Sequence, residues 1–330
     1  MSDASNSPDP QPAREPAAQR TISIPEHEVI RQIGHGASGE VWLARNFLGV
    51  YRAVKIMRFQ EAGQQRSFEN EFAGIMRFEP ISRLHDGLVD ILQVGQNKEQ
   101  GYFYYVMELA DCVHAGQAID PTTYLPHTLA QHVRERGRLP ARECIRLGAA
   151  MASALGFLHR QNLVHRDLKP SNIIFVNGFP KLADIGLVTG MSGEQAYVGT
   201  EGFIAPEGSG TAQADIFSLG KILYEMITGQ SVREFPVLPA DLGTDEDSLE
   251  LAQFSRIVLK ACRTNPPSRY DSADDLMTAL LSFQFTNRVY RWGSKNHPLG
   301  RSIGLIGAIS GAVFAIYVVW RVVSLLRHSP

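Results

Sequence analysis

Cysteine is scarce in this chain of 330 residues: three, at Cys112, Cys144 and Cys262, odd in number and far apart. That spacing excludes the paired framework of a small secreted domain and points to a reducing compartment. An excess of charge is also missing. With 32 Lys and Arg against 34 Asp and Glu, the formal net charge is −2, so no global basic field draws in nucleic acid. The first 25 residues lack the apolar core of a cleaved secretory signal; rich in Pro, Ser and Ala, they read as a disordered lead-in. Acidic residues stop at Asp275.

A length of 330 residues with 44% hydrophobic side chains supports one large domain or two smaller ones. Beyond Asp275, "IGLIGAISGAVFAIYVVW" runs from Ile303 to Trp320 without a charge. As a helix it measures roughly 27 Å, close to a bilayer core; Arg321 can snorkel to the interface, and "VVSLL" after it would lengthen the span to 326. The expectation is a transmembrane helix over 303–326, a basic juxtamembrane linker over 287–302 and a short tail over 327–330. Arg288, Arg291, Lys295 and Arg301 put the main body on the cytoplasmic side, as a single-pass, tail-anchored membrane protein. Gly307 and Gly311 form a GxxxG pair through which two such helices would pack as a homodimer.

The region between these ends carries the chemistry. "IRQIGHGASGEVWLAR" alternates apolar residues, turns through Gly34, Gly36 and Gly39, and alternates again, predicting strand, glycine turn, strand. Such a turn is either a plain hairpin or a place where backbone amides meet a phosphate without a Cβ in the way. No helix opens after the glycines, which argues against a Rossmann dinucleotide site. A third strand, "YRAVKIM", sets Lys55 among apolar residues; "RSFENEFAGIM" follows at helical spacing and offers Glu71, or Glu69, as its ion-pair partner.

Farther on, Cys144, Leu147, Met151, Leu155 and Leu158 recur at helical spacing, so Cys144 belongs to a core and the helix delivers the chain to "HRDLKPSN", residues 165–172. "IIFV" and "PKLADIGLV" then read as a strand, a turn and a second strand ending at Asp184 and Gly186. Asp167, Asn172 and Asp184 converge at strand ends, and oxygen ligands of this kind suit Mg²⁺.

In this order "GHGASGEV", "AVK", Glu71, "HRDLKPSN", "DIG" and "APE" resemble the signature of eukaryotic-like (Hanks-type) serine/threonine protein kinases of bacterial type, over about residues 26–285. The resemblance implies an α+β, bilobal protein kinase fold: a β-rich N-lobe over 26–108 and a mostly helical C-lobe over 109–286. It implies ATP with Mg²⁺ or Mn²⁺, and protein substrates bearing Ser or Thr. Asp167 would accept or orient the substrate hydroxyl proton, Lys169 would steady the γ-phosphate, and Lys55 would hold the α and β phosphates. Gly34, Gly36 and Gly39 would cover those phosphates, with Val41 and Ala53 also on the nucleotide. Glu71 would brace Lys55, and Glu108 to Ala110, after the gatekeeper Met107, would contact adenine. Asn172 and Asp184 would bind the metal.

The resemblance further implies that Thr200 contacts Asp167 and Lys169, that Glu207 pairs with Arg269, and that Asp215 braces the catalytic loop from a buried helix carrying Ile216, Leu219, Leu223 and Met226. His165 would be a packing residue. Arg166 goes with activation by phosphorylation, for which Thr189, Ser192 and Tyr197 are candidates. Two features depart from the pattern: Ile185 where phenylalanine is commoner, and an extra stretch, residues 111–127, expected to be a solvent-exposed loop shaping a substrate groove. Its Cys112, His114 and His127 fit no standard zinc spacing. The alternatives are a catalytically inactive pseudokinase scaffold and a small-molecule phosphotransferase of kinase-like fold; Lys55, Asp167, Asn172 and Asp184 oppose the first, "APE", Thr200 and Lys169 the second.

Overall fold

A computed structural model describes residues 22–36, 39–58, 65–184, 189–190, 199–238 and 247–282. The first half is a five-stranded antiparallel sheet in the order β1-β2-β3-β5-β4. Its strands are β1 (His27–Gly36), β2 (Gly39–Asn46), β3 (Tyr51–Arg58), β4 (Ile91–Asn97) and β5 (Tyr102–Met107), with helix α1 (Gln65–Ser82) between β3 and β4. Side chains alternate across a strand, so β3 and β5 feed two different cores. Ala53, Met57, Phe103, Tyr105 and Met107 face the main core, whereas Val54, Ile56, Tyr102, Tyr104 and Val106 fill a smaller one on the other face. Lys55 is in the first set's register, directly opposite Tyr105, which is why this strand lysine is buried. Phe72 of α1 meets Phe103 edge-on at 5.3 Å.

The second half is helical: α2 (Leu129–Arg136), α3 (Ala141–Arg160), α4 (Ala212–Thr228), α5 (Asp247–Ala261) and α6, residues 273–282. In α3, Cys144, Leu147, Met151, Leu155 and Leu158 form one buried stripe; in α4, Ile216, Leu219, Leu223 and Met226 are fully buried. Thr128 and Thr211 cap α2 and α4 by accepting the N–H of Gln131 and Ala214, each at 3.1 Å, and Gly229 ends α4 in the left-handed region that glycine adopts without strain. Between α3 and α4 lie short strands β6 (Leu163–Val164), β7 (Ile173–Val176), β8 (Phe179–Leu182) and β9 (Thr189–Gly190), paired β6 with β9 and β7 with β8. The architecture is bilobal, a β-rich N-lobe on a helical C-lobe, with the loop 165–172 issuing between β6 and β7. Among the described residues no helix is long and apolar enough to cross a membrane; the stretches 1–21, 287–302, 303–326 and 327–330 lie outside them.

Candidate active site

The loop between β6 and β7 is held from below. Asp215, buried in α4, accepts the backbone N–H of His165 at 2.8 Å and of Arg166 at 3.0 Å, and its Oδ2 lies 2.9 Å from His159 Nε2 of α3. These bonds keep Arg166 at φ 71, a left-handed conformation costly for a residue with a Cβ. His165 is fully buried, its Nε2 3.1 Å from the Ala183 carbonyl, and packs under the loop.

Asp167 then presents a carboxylate whose two oxygens have separate donors. Thr200 Oγ1 donates to Oδ1 at 2.9 Å; Lys169 Nζ donates to Oδ2 at 2.8 Å and also to Thr200 Oγ1 at 2.8 Å. Asn172 Nδ2 donates to the Asp167 carbonyl at 2.8 Å and to its Oδ2 at 3.1 Å. A fixed, nearly buried carboxylate beside an ammonium can orient a hydroxyl and accept its proton while the cation offsets developing negative charge.

Asp184 follows β8 in the left-handed region, at φ 57, and its Oδ1 accepts from Lys55 Nζ in a close ion pair. Burial alone would raise the pKa of Asp184, but the ammonium of Lys55 holds it below the usual carboxylate range. Burial likewise opposes the charge on Lys55, yet Tyr105 and Asp184 raise its pKa, so it stays an ammonium. The expected pair between Lys55 and Glu71 is corrected here: among the described residues the ion pair of Lys55 is with Asp184. Glu71 is half-buried, and its pKa is pushed up to about 7, by burial and by the nearby Asp184 against the pull of Lys55. Both carboxylates act on the buried ammonium, and Asp184 is the one in ion-pair contact with it. Glu69 is exposed.

Above this group stands the glycine hairpin. Gly39 has φ +130, and a Cβ there would come within 2.4 Å of the Ile56 carbonyl, so the fold itself demands glycine. A Cβ on Gly34 would only touch Val41 at 3.4 Å, and one on Gly36 would meet nothing within 4 Å. Val41 pairs with Lys55 across β2 and β3, and Ala53 with Met107 across β3 and β5. After β5 the Glu108 carboxylate accepts from Lys181 Nζ at 2.6 Å and from the Asp90 N–H at 2.9 Å, so it is held by the protein's own groups. Asn172 Oδ1 and the Asp184 carboxylate are hard oxygen donors that fit a magnesium ion, since the Asn172 nitrogen is committed to Asp167.

Other features take their places around this site. Arg269, wholly buried, forms a two-bonded pair with Glu207 at 2.5 and 2.7 Å, and Glu207 ends the segment that carries Thr200. Cys112, His114 and His127 do not gather: among the described residues no three or more His, Cys, Asp or Glu cluster as a metal site, and His127 stacks on Phe175 at 4.4 Å. Residues 111–127 are not simply a solvent-exposed loop, because Cys112 and Tyr124 are buried. A groove of about 340 Å³ between α1 and β4 lies apart from Asp167; its one ionisable lining residue, Glu79, is paired with Arg83. Ile185, Gly186, Ser192 and Tyr197 lie outside the described residues, and Thr189 is described only as a backbone partner of Val164. Sequence reasoning missed His159, Tyr105 and Lys181. Of these only Tyr105 had a local signal, its phase with Met107 along β5.

Residues 27–299 match the family model described as protein kinase domain. The serine/threonine-protein kinase PrkC of Bacillus subtilis is 28% identical over 282 residues, covering 76% of this chain and 39% of that protein. The serine/threonine-protein kinases PknB of Mycolicibacterium smegmatis and Mycobacterium tuberculosis are each 30% identical, over 295 and 285 residues, covering 79% and 77% of this chain and 44% and 42% of theirs. The chain thus spans about two fifths of the length of these relatives. A match over most of the chain, joined to a bilobal fold with Lys55, Asp167, Asn172 and Asp184 gathered where its lobes meet, establishes that this protein belongs to the protein kinase domain family.

Proposed function

We propose that this chain is a serine/threonine protein kinase that transfers the γ-phosphate of ATP to Ser or Thr hydroxyls of proteins, itself included. The observation that carries this reading is the three-way contact of Asp167, Lys169 and Thr200. Thr200 lies in the segment that ends at the Glu207–Arg269 pair, so a docked peptide and the catalytic carboxylate are referred to one rigid support. Asp167 orients the acceptor hydroxyl and takes its proton as the oxygen attacks the γ-phosphorus and the bond to the β–γ bridging oxygen breaks, releasing ADP; Lys169 offsets charge on the transferred group. Lys55 holds the α and β phosphates under Gly34, Gly36 and Gly39, with Val41, Ala53 and the backbone of Glu108 to Ala110 around the base. Asn172 and Asp184 would hold magnesium, which when bound supplies positive charge to the phosphate oxygens.

The acceptor class separates this reading from a small-molecule phosphotransferase. The full chain with Mg²⁺ and γ-labelled ATP is offered a generic protein acceptor, an aminoglycoside and choline; label on Ser and Thr of protein alone is expected, and label on the small molecules alone would overturn it. We also propose that residues 303–326 anchor the kinase domain to a membrane, on the strength of the uncharged run from Ile303 to Trp320. The full chain should float with lipid vesicles and a chain cut after Arg301 should not; equal behaviour of the two would refute the anchor.

A further inference from the structure

The inserted stretch 111–127 touches all three walls of the cleft. On the floor, the Asp111 carboxylate accepts the N–H groups of Asn177 at 3.0 Å and Gly178 at 2.8 Å in the turn between β7 and β8. At the hinge, the fully buried Tyr124 donates its hydroxyl to the Ala110 carbonyl at 3.0 Å. At the roof, Arg31 of β1 donates through Nε to the Pro121 carbonyl at 2.6 Å and through Nη2 to the Tyr124 carbonyl. The Asp120 carboxylate shapes the turn that presents both carbonyls, accepting the Thr122 N–H at 2.9 Å. An apolar cluster of Leu43, Cys112 and Tyr124, with Ile30 and Ile33 packed against it, seals the insert onto β1 and β2.

The strand so gripped is hydrogen-bonded to a neighbouring strand on one side only. β1 is the edge of the sheet, bonded to β2 alone, and its register with β2 slips on both sides of Arg31, between Val29 and Arg31 and again between Gln32 and Gly34. A bulge leaves a residue out of the ladder, so a contact made there adds to what the pairing with β2 provides. Arg31 lies three residues before Gly34, so whatever fixes its guanidinium fixes the entry to the glycine hairpin. Two charge-assisted bonds from one planar group set orientation as well as position.

We infer that residues 111–127 are a strap joining hinge and floor to β1, and that Arg31 and Tyr124 are positioning residues that pre-order the glycine hairpin for the nucleotide. Ordering done before binding is not charged to binding, so the strap tightens ATP affinity and leaves the transfer step nearly untouched. The inference rests on the nucleotide site proposed above.

The test uses the full chain and three variants: Arg31→Met, which keeps the aliphatic stem; Arg31→Lys, which keeps the charge; and Tyr124→Phe, which keeps the buried ring. Amide hydrogen exchange over 32–41, equilibrium binding of a fluorescent ATP analogue, and steady-state KM and kcat are compared. Arg31→Met and Tyr124→Phe should exchange faster at the hairpin and bind the analogue roughly three- to tenfold more weakly, with kcat within about twofold and Arg31→Lys between them and the parent. Parental exchange and affinity in both, whatever happens to Tm, would overturn the strap and leave the insert merely structural. Should the parent itself fail to bind nucleotide, the kinase reading fails instead, and hairpin exchange alone then decides the strap.

Discussion

Glu71 shows how one ammonium sorts the acids around it. Lys55 is buried and pairs with Asp184, so Asp184 stays ionised, while Glu71, partly desolvated beside a second carboxylate, has its pKa pushed up from 4.5 to about 7. A carboxyl whose folded pKa is raised contributes stability that is complete below its unfolded value and is lost as pH rises through the folded one. Its window therefore runs from 4.5 to about 7. Glu71→Gln removes this titration, so the stability of variant minus parent should grow by about 1 kcal/mol between roughly pH 5 and pH 8, the full shift being discounted for solvent contact. Urea unfolding at the two pH values checks it. A difference that shrinks as pH rises would mean that Glu71, not Asp184, pairs with Lys55 in solution.

The glycine hairpin separates what a fold needs from what a ligand needs. Gly39 is required by its own backbone, whereas a Cβ on Gly36 would meet nothing within 4 Å. Gly36→Ala should leave thermal stability unchanged or raise it by up to about 1 kcal/mol, yet weaken ATP binding, because the added methyl occupies space that only a phosphate would use. Calorimetry with and without nucleotide reads both effects; a destabilised variant with parental affinity would contradict the assignment. At this scale much was legible in the sequence. The alternation around the glycines, the helical phase of Cys144 to Leu158 and the two short strands after the catalytic loop are set by local periodicity, and the structure has them there, although the second strand ends at Leu182, short of Asp184. Which acid takes Lys55, and that residues 111–127 bury Cys112 and Tyr124 against Leu43, were not legible. Both depend on distances between segments far apart in the chain, which spacing does not encode. His159 and Lys181 were missed for the same reason: their partners, Asp215 and Glu108, are brought to them only by tertiary packing.

For the molecule as a whole, a sheet carries Lys55 and a helical lobe carries Asp167, Asn172 and Asp184, so the chemistry exists only where the two lobes meet. If the proposed function holds, Asp167 serves phosphoryl transfer to protein hydroxyls, and not only the packing of a scaffold. Asp167→Asn keeps the shape of the side chain and removes its basicity, so the fold and the cleft should survive it. The direct measurement is the rate at which the full chain, with Mg²⁺ and γ-labelled ATP, incorporates phosphate on Ser and Thr, set beside Asp167→Asn with binding of an ATP analogue measured in both. The account predicts a fall of roughly 10²- to 10⁴-fold in rate with analogue affinity little changed. Parent and variant labelling at equal rates, or neither labelling itself nor a protein acceptor while both bind the analogue, would contradict it.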